Sequence, residues 1–234
     1  MSSHATSTGI SRSAEDYLKA IFELETPETP VQTSAIAGVL DVAPPSVTGM
    51  VKRLSESGLL NHLPYRGVQL TPKGRRAALR MLRRHRVVEA YLTTKLGYDW
   101  DSVHEEAERL EHAVSDELVE RMAMALGYPG FDPHGAPIPT RDGEMEELDL
   151  VPLTDLPVAA AGEFRRVGDR DSAVLRFLGA LGLRPGVRFT VIGRQPFRGP
   201  VTLRYGEPGH ERDQVIGHEL ASALWCAMLS QEVG

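Results

Sequence analysis

One cysteine, Cys226, in a chain of 234 residues cannot close an intrachain disulfide, and a reducing cytoplasm is the natural setting for such a chain. The N-terminal stretch Met1 to Gly9 is small and polar and lacks the apolar core of a signal peptide. No apolar run is long enough to span a bilayer. The best, Leu220 to Leu229, is too short, so no membrane partner is expected. Common catalytic signatures are missing as well. There is no phosphate-binding Gly-rich loop ending in Lys and Ser or Thr, and no Gly-x-Ser-x-Gly elbow. The zincin pattern His-Glu-x-x-His fails because the residue four after His104 is Glu108. Internal repeats and low-complexity segments are absent too.

What is present is a chain 41% hydrophobic and 25% charged, with a net charge of −6. That composition folds, and the length favours two or more domains. The net charge hides opposite blocks. Lys73 to Arg86 holds seven basic residues and no acidic one, whereas Asp99 to Asp149 holds fifteen acidic residues against three arginines. A nucleic-acid site depends on the local field, which the first block supplies, and the second suits a cation.

Residues 1–73 read as a winged helix-turn-helix. Ser13 is placed to cap a first helix with an apolar stripe at Tyr17, Leu18, Ile21, Phe22 and Leu24, ended by Pro27 and Pro30. Asp16, three after Ser13, could be the reciprocal partner of a capping box. Thr33 caps a second helix, and Pro45 suits the first turn of a third. Val47, Met50, Val51 and Leu54 bury one side of that third helix. Its other side shows Pro45, Ser46, Thr48, Gly49, Lys52 and Arg53, a slim leading end for bases with cations beyond for phosphates. Two strands, Leu59 to Leu63 and Gly67 to Thr71, flank a turn carrying Tyr65 and Arg66, which join the expected DNA-binding set.

Residues 74–140 read as a helical domain. Thr71-Pro72 opens a long helix running to about Leu96, with its basic run beside a duplex. A second helix is expected from Asp101 or Ser102 through to Gly127. Such a pair cannot bury its apolar residues alone, and a twofold homodimer is the economical solution. Tyr128 to Gly162 is rich in Pro and Gly and carries the acidic stretch Glu144 to Glu147; within it, residues 141–161 read as a linker. A small β-rich domain follows over 162–234, with strands at Phe164 to Val167, Val187 to Ile192 and Pro200 to Tyr205, and a helix over Ser172 to Leu181. Val215 to Met228 supplies a last turn and a strand or helix.

The chemistry concentrates in His104 to His112. On a helix, His104, Glu108, Glu111 and His112 can share one face, and aligned carboxylates repel unless something positive sits between them. A solvated charged face is the plain alternative. Asp16, His85 and Glu89 complete the candidates, His85 and Glu89 being four apart on the long helix. All are oxygen or imidazole donors, which favour Mn2+ or Fe2+ over the metals of soft sulfur sites. The Glu-x-x-His element of carboxylate-bridged di-metal bundles does not occur, since Glu111 and His112 are adjacent.

Ala14-Glu15-Asp16-Tyr17-Leu18, Pro45-Ser46-Val47-Thr48, Arg84-His85-Arg86, Val103-His104-Glu105-Glu106-Ala107, Glu111 to Asp116 and Pro133 to Pro139 form a set in fixed order and spacing. In these segments, and over nearly its whole length, the chain resembles the DtxR/MntR family of metal-dependent transcriptional regulators. The resemblance implies a mainly α fold with β: a winged helix-turn-helix, a helical metal-binding and dimerisation domain, and an SH3-like, FeoA-type small β-barrel. It implies a primary site of Asp16, Glu108, Glu111 and His112, and an ancillary site of His85, Glu89 and His104, with Asp171 able to lend an acid. Acids at Asp16 and Glu108, where iron-responsive members place Met and Cys, point to Mn2+. Lys19 stands where some manganese regulators have a further Glu ligand. Taken together, the resemblance implies a non-enzymatic repressor of metal homeostasis genes, binding double-stranded operator DNA with an inverted repeat. An iron-dependent regulator of the same class and a carboxylate-bridged di-metal enzyme are the alternatives.

Overall fold

The computed structural model describes residues 11–26, 29–168 and 171–229. Pro27, expected to help end the first helix, and the segment Met1 to Gly9 lie outside them. The chain divides into two compact units: residues up to 85 with 139–144, and residues 86–138 with 145 onward.

In the first unit, α1 (Arg12–Leu24) starts earlier than expected. Ser11, not Ser13, accepts from the Ala14 amide at 3.4 Å. This removes Asp16 from the third helical position, so it is not the partner of a capping box. Thr33 is the first residue of α2 (Thr33–Leu40), not its cap; Gln32 holds that place without a side-chain bond. In α3 (Pro44–Glu56), Pro44 and Pro45 fill the first turn, where missing N–H groups cost nothing. Val47, Met50, Val51 and Leu54 are buried as their spacing predicts. They meet Leu18, Ile21, Ile36 and Val68 in one apolar cluster.

The wing is the antiparallel pair β1 (Leu60–Leu63) and β2 (Gly67–Leu70), with Leu60 opposite Leu70. Val31 bonds across to Val68 in both directions at 2.9 Å. Gly67 has φ +110, and a Cβ there would overlap the Val31 carbonyl oxygen.

Thr71 caps α4 (Pro72–Leu96) through Gly74 N→Thr71 Oγ1 at 3.0 Å. This 25-residue helix runs from the first unit into the second. Where one helix was expected up to Gly127, there are two, α5 (Val103–Leu110) and α6 (Asp116–Ala125). Ser115 accepts from Leu118 N at 3.2 Å, with Asp116 and Glu117 in the first turn. That is a strong local start signal, and it overrides the continuous 3.6 period.

The C-terminal part is a sheet of six antiparallel strands. In chain order they are β3 (Val151–Pro152), β4 (Ala161–Val167), β5 (Arg188–Arg194), β6 (Val201–Tyr205), β7 (Arg212–Ile216) and β8 (Leu224–Met228). Their spatial order is β3-β8-β4-β5-β6-β7. Two helices, α7 (Ser172–Ala180) and α8 (His218–Ser222), complete it. The stretch expected as a linker contributes β3 and the fully buried Leu153 and Leu156 to this core. Val215 to Met228 resolves into the end of β7, α8 and β8. Among the described residues no single helix is long and apolar enough to cross a membrane.

Cys226 lies inside this sheet, and burial pushes its thiol up to about 12. Only the thiolate is a good nucleophile. The native protein at pH 8 is therefore expected to resist iodoacetamide and to become reactive on unfolding, as mass spectrometry can follow. Gly67→Ala should destabilise the first unit by about 2 kcal/mol or more through strain and overlap, seen as a lowered denaturation midpoint.

Candidate metal centre and DNA interface

Two helices of the second unit, with the loop after α6, build its polar interior. Glu89, on α4, is fully buried, and α5 brings His104 Nδ1 to 3.1 Å from Glu89 Oε1. The other ring nitrogen, Nε2, lies 3.8 Å from Glu108 Oε1. One imidazole thus stands between two carboxylates. Glu111 is also fully buried, with its Oε1 3.5 Å from His112 Nε2. It forms the C-cap of α5, where the helix break sets it beside His112. Carboxylates taken out of water are costly unless neutralised, and an imidazole stands beside each of these.

In the first unit Asp16 is half-buried on α1. Lys19, one turn later, is buried with its Nζ 3.2 Å from His85 Nδ1. Of the expected ancillary set, Glu89 and His104 are in direct contact, while His85 meets this ammonium. Asp171 has another role: its Oδ1 accepts from Ala173 N and Val174 N at 2.9 and 3.2 Å, capping α7.

Sequence reasoning missed Asp132 and His134; His134 fell in a matching segment without a role, and Asp132 lay just before that segment. Asp132 Oδ1 accepts from the amides of His134 and Ala136, both at 2.9 Å. Its Oδ2 lies 3.7 Å from Arg86 Nε and makes no hydrogen bond. His134 Nε2 donates to the Trp100 carbonyl at 2.6 Å, which leaves Nδ1 carrying the lone pair in the neutral ring. That Nδ1 makes no hydrogen bond and faces Glu89 Oε2 at 3.8 Å. One donor atom from each of Glu89, Asp132 and His134 lies within 4.8 Å of the others, and all three residues are buried. The set fits a hard divalent cation. A ligating imidazole whose second nitrogen donates to a carbonyl is the usual arrangement at metal sites. The signal that could have found it is Asp132-Pro133-His134-Gly135, an acid and an imidazole two apart in a turn.

Without a cation the cluster titrates abnormally. Burial first, and then Glu89, raise the Asp132 carboxyl to about 6, against the opposing pull of Arg86 and His134. Burial alone would lower His134, but the charge of Glu89, with Asp132 and the Trp100 carbonyl, raises it to about 9. At 3.8 Å, Glu89 acts on His134 through charge rather than through a formed hydrogen bond.

On α3, Pro45, Ser46, Thr48, Gly49, Lys52 and Arg53 are all exposed, as are Tyr65 and Arg66 at the wing tip. A Cβ on Gly49 would meet nothing within 4 Å. The basic run of α4 is partly engaged within the fold. Lys73 Nζ donates to Ser57 O, Arg75 pairs with Glu25, Arg83 donates to Pro139 O and Arg84 pairs with Glu15. Arg76 and Arg80 are exposed.

A winged helix-turn-helix joined to a helical domain lined with hard metal donors is the architecture of a metal-responsive DNA-binding regulator. Residues 9–68 match the iron dependent repressor N-terminal DNA binding domain, 71–140 its metal binding and dimerisation domain, and 151–228 the FeoA domain. The chain belongs to the iron-dependent repressor family, that of DtxR and MntR. It is 33% identical over 222 residues to the iron-dependent repressor IdeR of Mycobacterium tuberculosis (strain H37Rv), covering 90% of this chain and 94% of that one. It is 32% identical over 191 residues to the diphtheria toxin repressor of Corynebacterium efficiens, covering 77% and 83%. Among solved structures, a manganese-dependent transcriptional repressor in complex with manganese superposes with a TM-score of 0.86 at 37% identity, covering 92% of this chain and 100% of that one. ScaR with bound Zn2+ gives 0.79 at 31%, covering 92% and 99%.

A ligand present at 100 times its Kd stabilises a fold by about 2.7 kcal/mol. Saturating Mn2+ is therefore expected to raise the midpoint of thermal unfolding by about 5–10 °C for a chain of this size. Glu111→Gln should remove much of that rise in calorimetry.

Proposed function

We propose that this protein is a Mn2+-responsive transcriptional repressor of metal homeostasis genes, acting in the cytoplasm as a twofold dimer on an inverted-repeat operator. The observation that carries the metal reading is the pair of fully buried carboxylates, Glu89 and Glu111, each set against an imidazole. Mn2+ is favoured because every donor is oxygen or imidazole, and the one thiol is buried in the C-terminal sheet. Fe2+ is the second reading, supported by the likeness to repressors named iron-dependent.

The primary ligand set is Asp16, Glu108, Glu111 and His112; Glu89 and His104, with Asp132 and His134, serve a second ion. A bound divalent cation supplies the positive charge that lets these carboxylates share a site. Asp16 belongs to the DNA-binding domain, and the other primary ligands belong to the helical domain. Drawing ligands from both makes the domain arrangement depend on metal. DNA and metal then strengthen each other's binding by one factor. On the duplex, Ser46, Thr48 and Gly49 face the bases, while Lys52, Arg53 and the wing's Arg66 neutralise phosphates. Leu118 and Met124 on α6, with Tyr128 beyond it, are exposed and form the apolar face of the dimer.

Operator binding to the gene's own upstream region, measured with Mn2+, Fe2+ and chelator, tests this reading. Asp16→Ala and Glu108→Ala are each expected to abolish metal-stimulated binding while leaving the dimer intact. Binding by either mutant at wild-type affinity, equal with and without Mn2+, would sink the account. Gly49→Ala should raise the stability of the DNA-binding domain by up to about 1 kcal/mol. It should weaken operator binding at the same time, because nothing in the protein itself requires a glycine there.

A further inference from the structure

His134 is gripped from two directions, and both grips lead to the C-terminal sheet. Its Nε2 donates to the Trp100 carbonyl, and its ring stacks on the indole with centroids 5.9 Å apart. Trp100 belongs to the turn between α4 and α5, yet its side chain is buried in the sheet's core with Leu153, Leu175 and Leu178. The Arg184 guanidinium lies over it at 4.8 Å. The second grip is backbone: Val167 N, at the end of β4, donates to His134 O at 3.0 Å. The next residue, Gly135, has φ +86, and a Cβ there would overlap the Arg165 carbonyl of β4. Only a glycine lets the loop lie this close to the strand.

We propose that Trp100 and His134 form a latch through which a divalent cation held by Glu89, Asp132 and His134 tightens the seating of β4 and its sheet. The inference rests on reading that cluster as a cation site. A cation there takes the Nδ1 lone pair of His134 and Oδ2 of Asp132. It thereby fixes the ring whose far nitrogen holds Trp100 and whose backbone holds Val167. The coupling runs both ways, so the sheet in turn orients His134 for the cation. Trp100 is a positioning residue here, acting through His134. The FeoA-type domain thus becomes a part of the metal response instead of an appendage.

The test uses the full chain, with hydrogen exchange over residues 161–168 read by mass spectrometry and bound Mn2+ counted by equilibrium dialysis. Mn2+ is expected to slow exchange of this segment about tenfold in the wild type, within the usual range of site coupling. His134→Gln should bind one ion fewer and lose the slowing, although the remaining ions stay bound. Trp100→Leu should keep the ion count at saturating Mn2+ and lose most of the slowing. If His134→Gln binds as many ions as the wild type, the cation site and the latch both fall. If it binds one fewer, yet Mn2+ slows exchange as much as in the wild type, the latch alone falls.

Discussion

Glu89 and Glu111 carry carboxylates into an interior from which water is excluded, and each has an imidazole as its near neighbour. Carboxylates in such an interior are costly unless neighbouring groups answer their charge, and imidazoles, which can be neutral or charged, stand beside both. Asp132 adds a third carboxylate, only partly answered by Arg86 at 3.7 Å. The arrangement of α4, α5 and the loop after α6 keeps these groups close to one another. On the proposed reading, a divalent cation bound among them relieves their repulsion, and the relief is the free energy that couples metal to DNA.

The DNA-binding half has a different economy. Its core is apolar and closed, from Leu18 and Ile36 to Val47 and Val68. The exposed face of α3 carries small groups and cations that make no demand on packing. Lys73, Arg75, Arg76 and Arg80 are the exposed cations of the basic run on α4, the first two also bonded to Ser57 and Glu25. Exposed cations on α3, the wing and α4 are thus available for electrostatic attraction to phosphates, despite the chain's net charge of −6.

Local patterns were legible in the sequence. The buried and exposed faces of α3, the span of α4 from Pro72 to Leu96 and most strands follow from periodicity and from proline and glycine placement. The break between α5 and α6 was hidden because residues 103–125 keep a helical period across it, while the Ser115 cap is a signal only one residue wide. Asp132 and His134 were hidden for another reason. Their role depends on Glu89, forty-odd positions earlier, and on Trp100, contacts that no spacing rule along the chain encodes. Leu153 and Leu156 stood among prolines and looked like linker, but two short apolar residues suffice to close one end of the sheet's core.

The claim that metal and DNA are linked through one molecule is tested most directly from the metal side. Mn2+ affinity, measured by calorimetry in the absence and presence of saturating operator duplex, is predicted to rise with DNA by the same factor by which Mn2+ raises operator affinity. A Mn2+ affinity unchanged by the duplex, alongside metal-stimulated operator binding, would contradict the account.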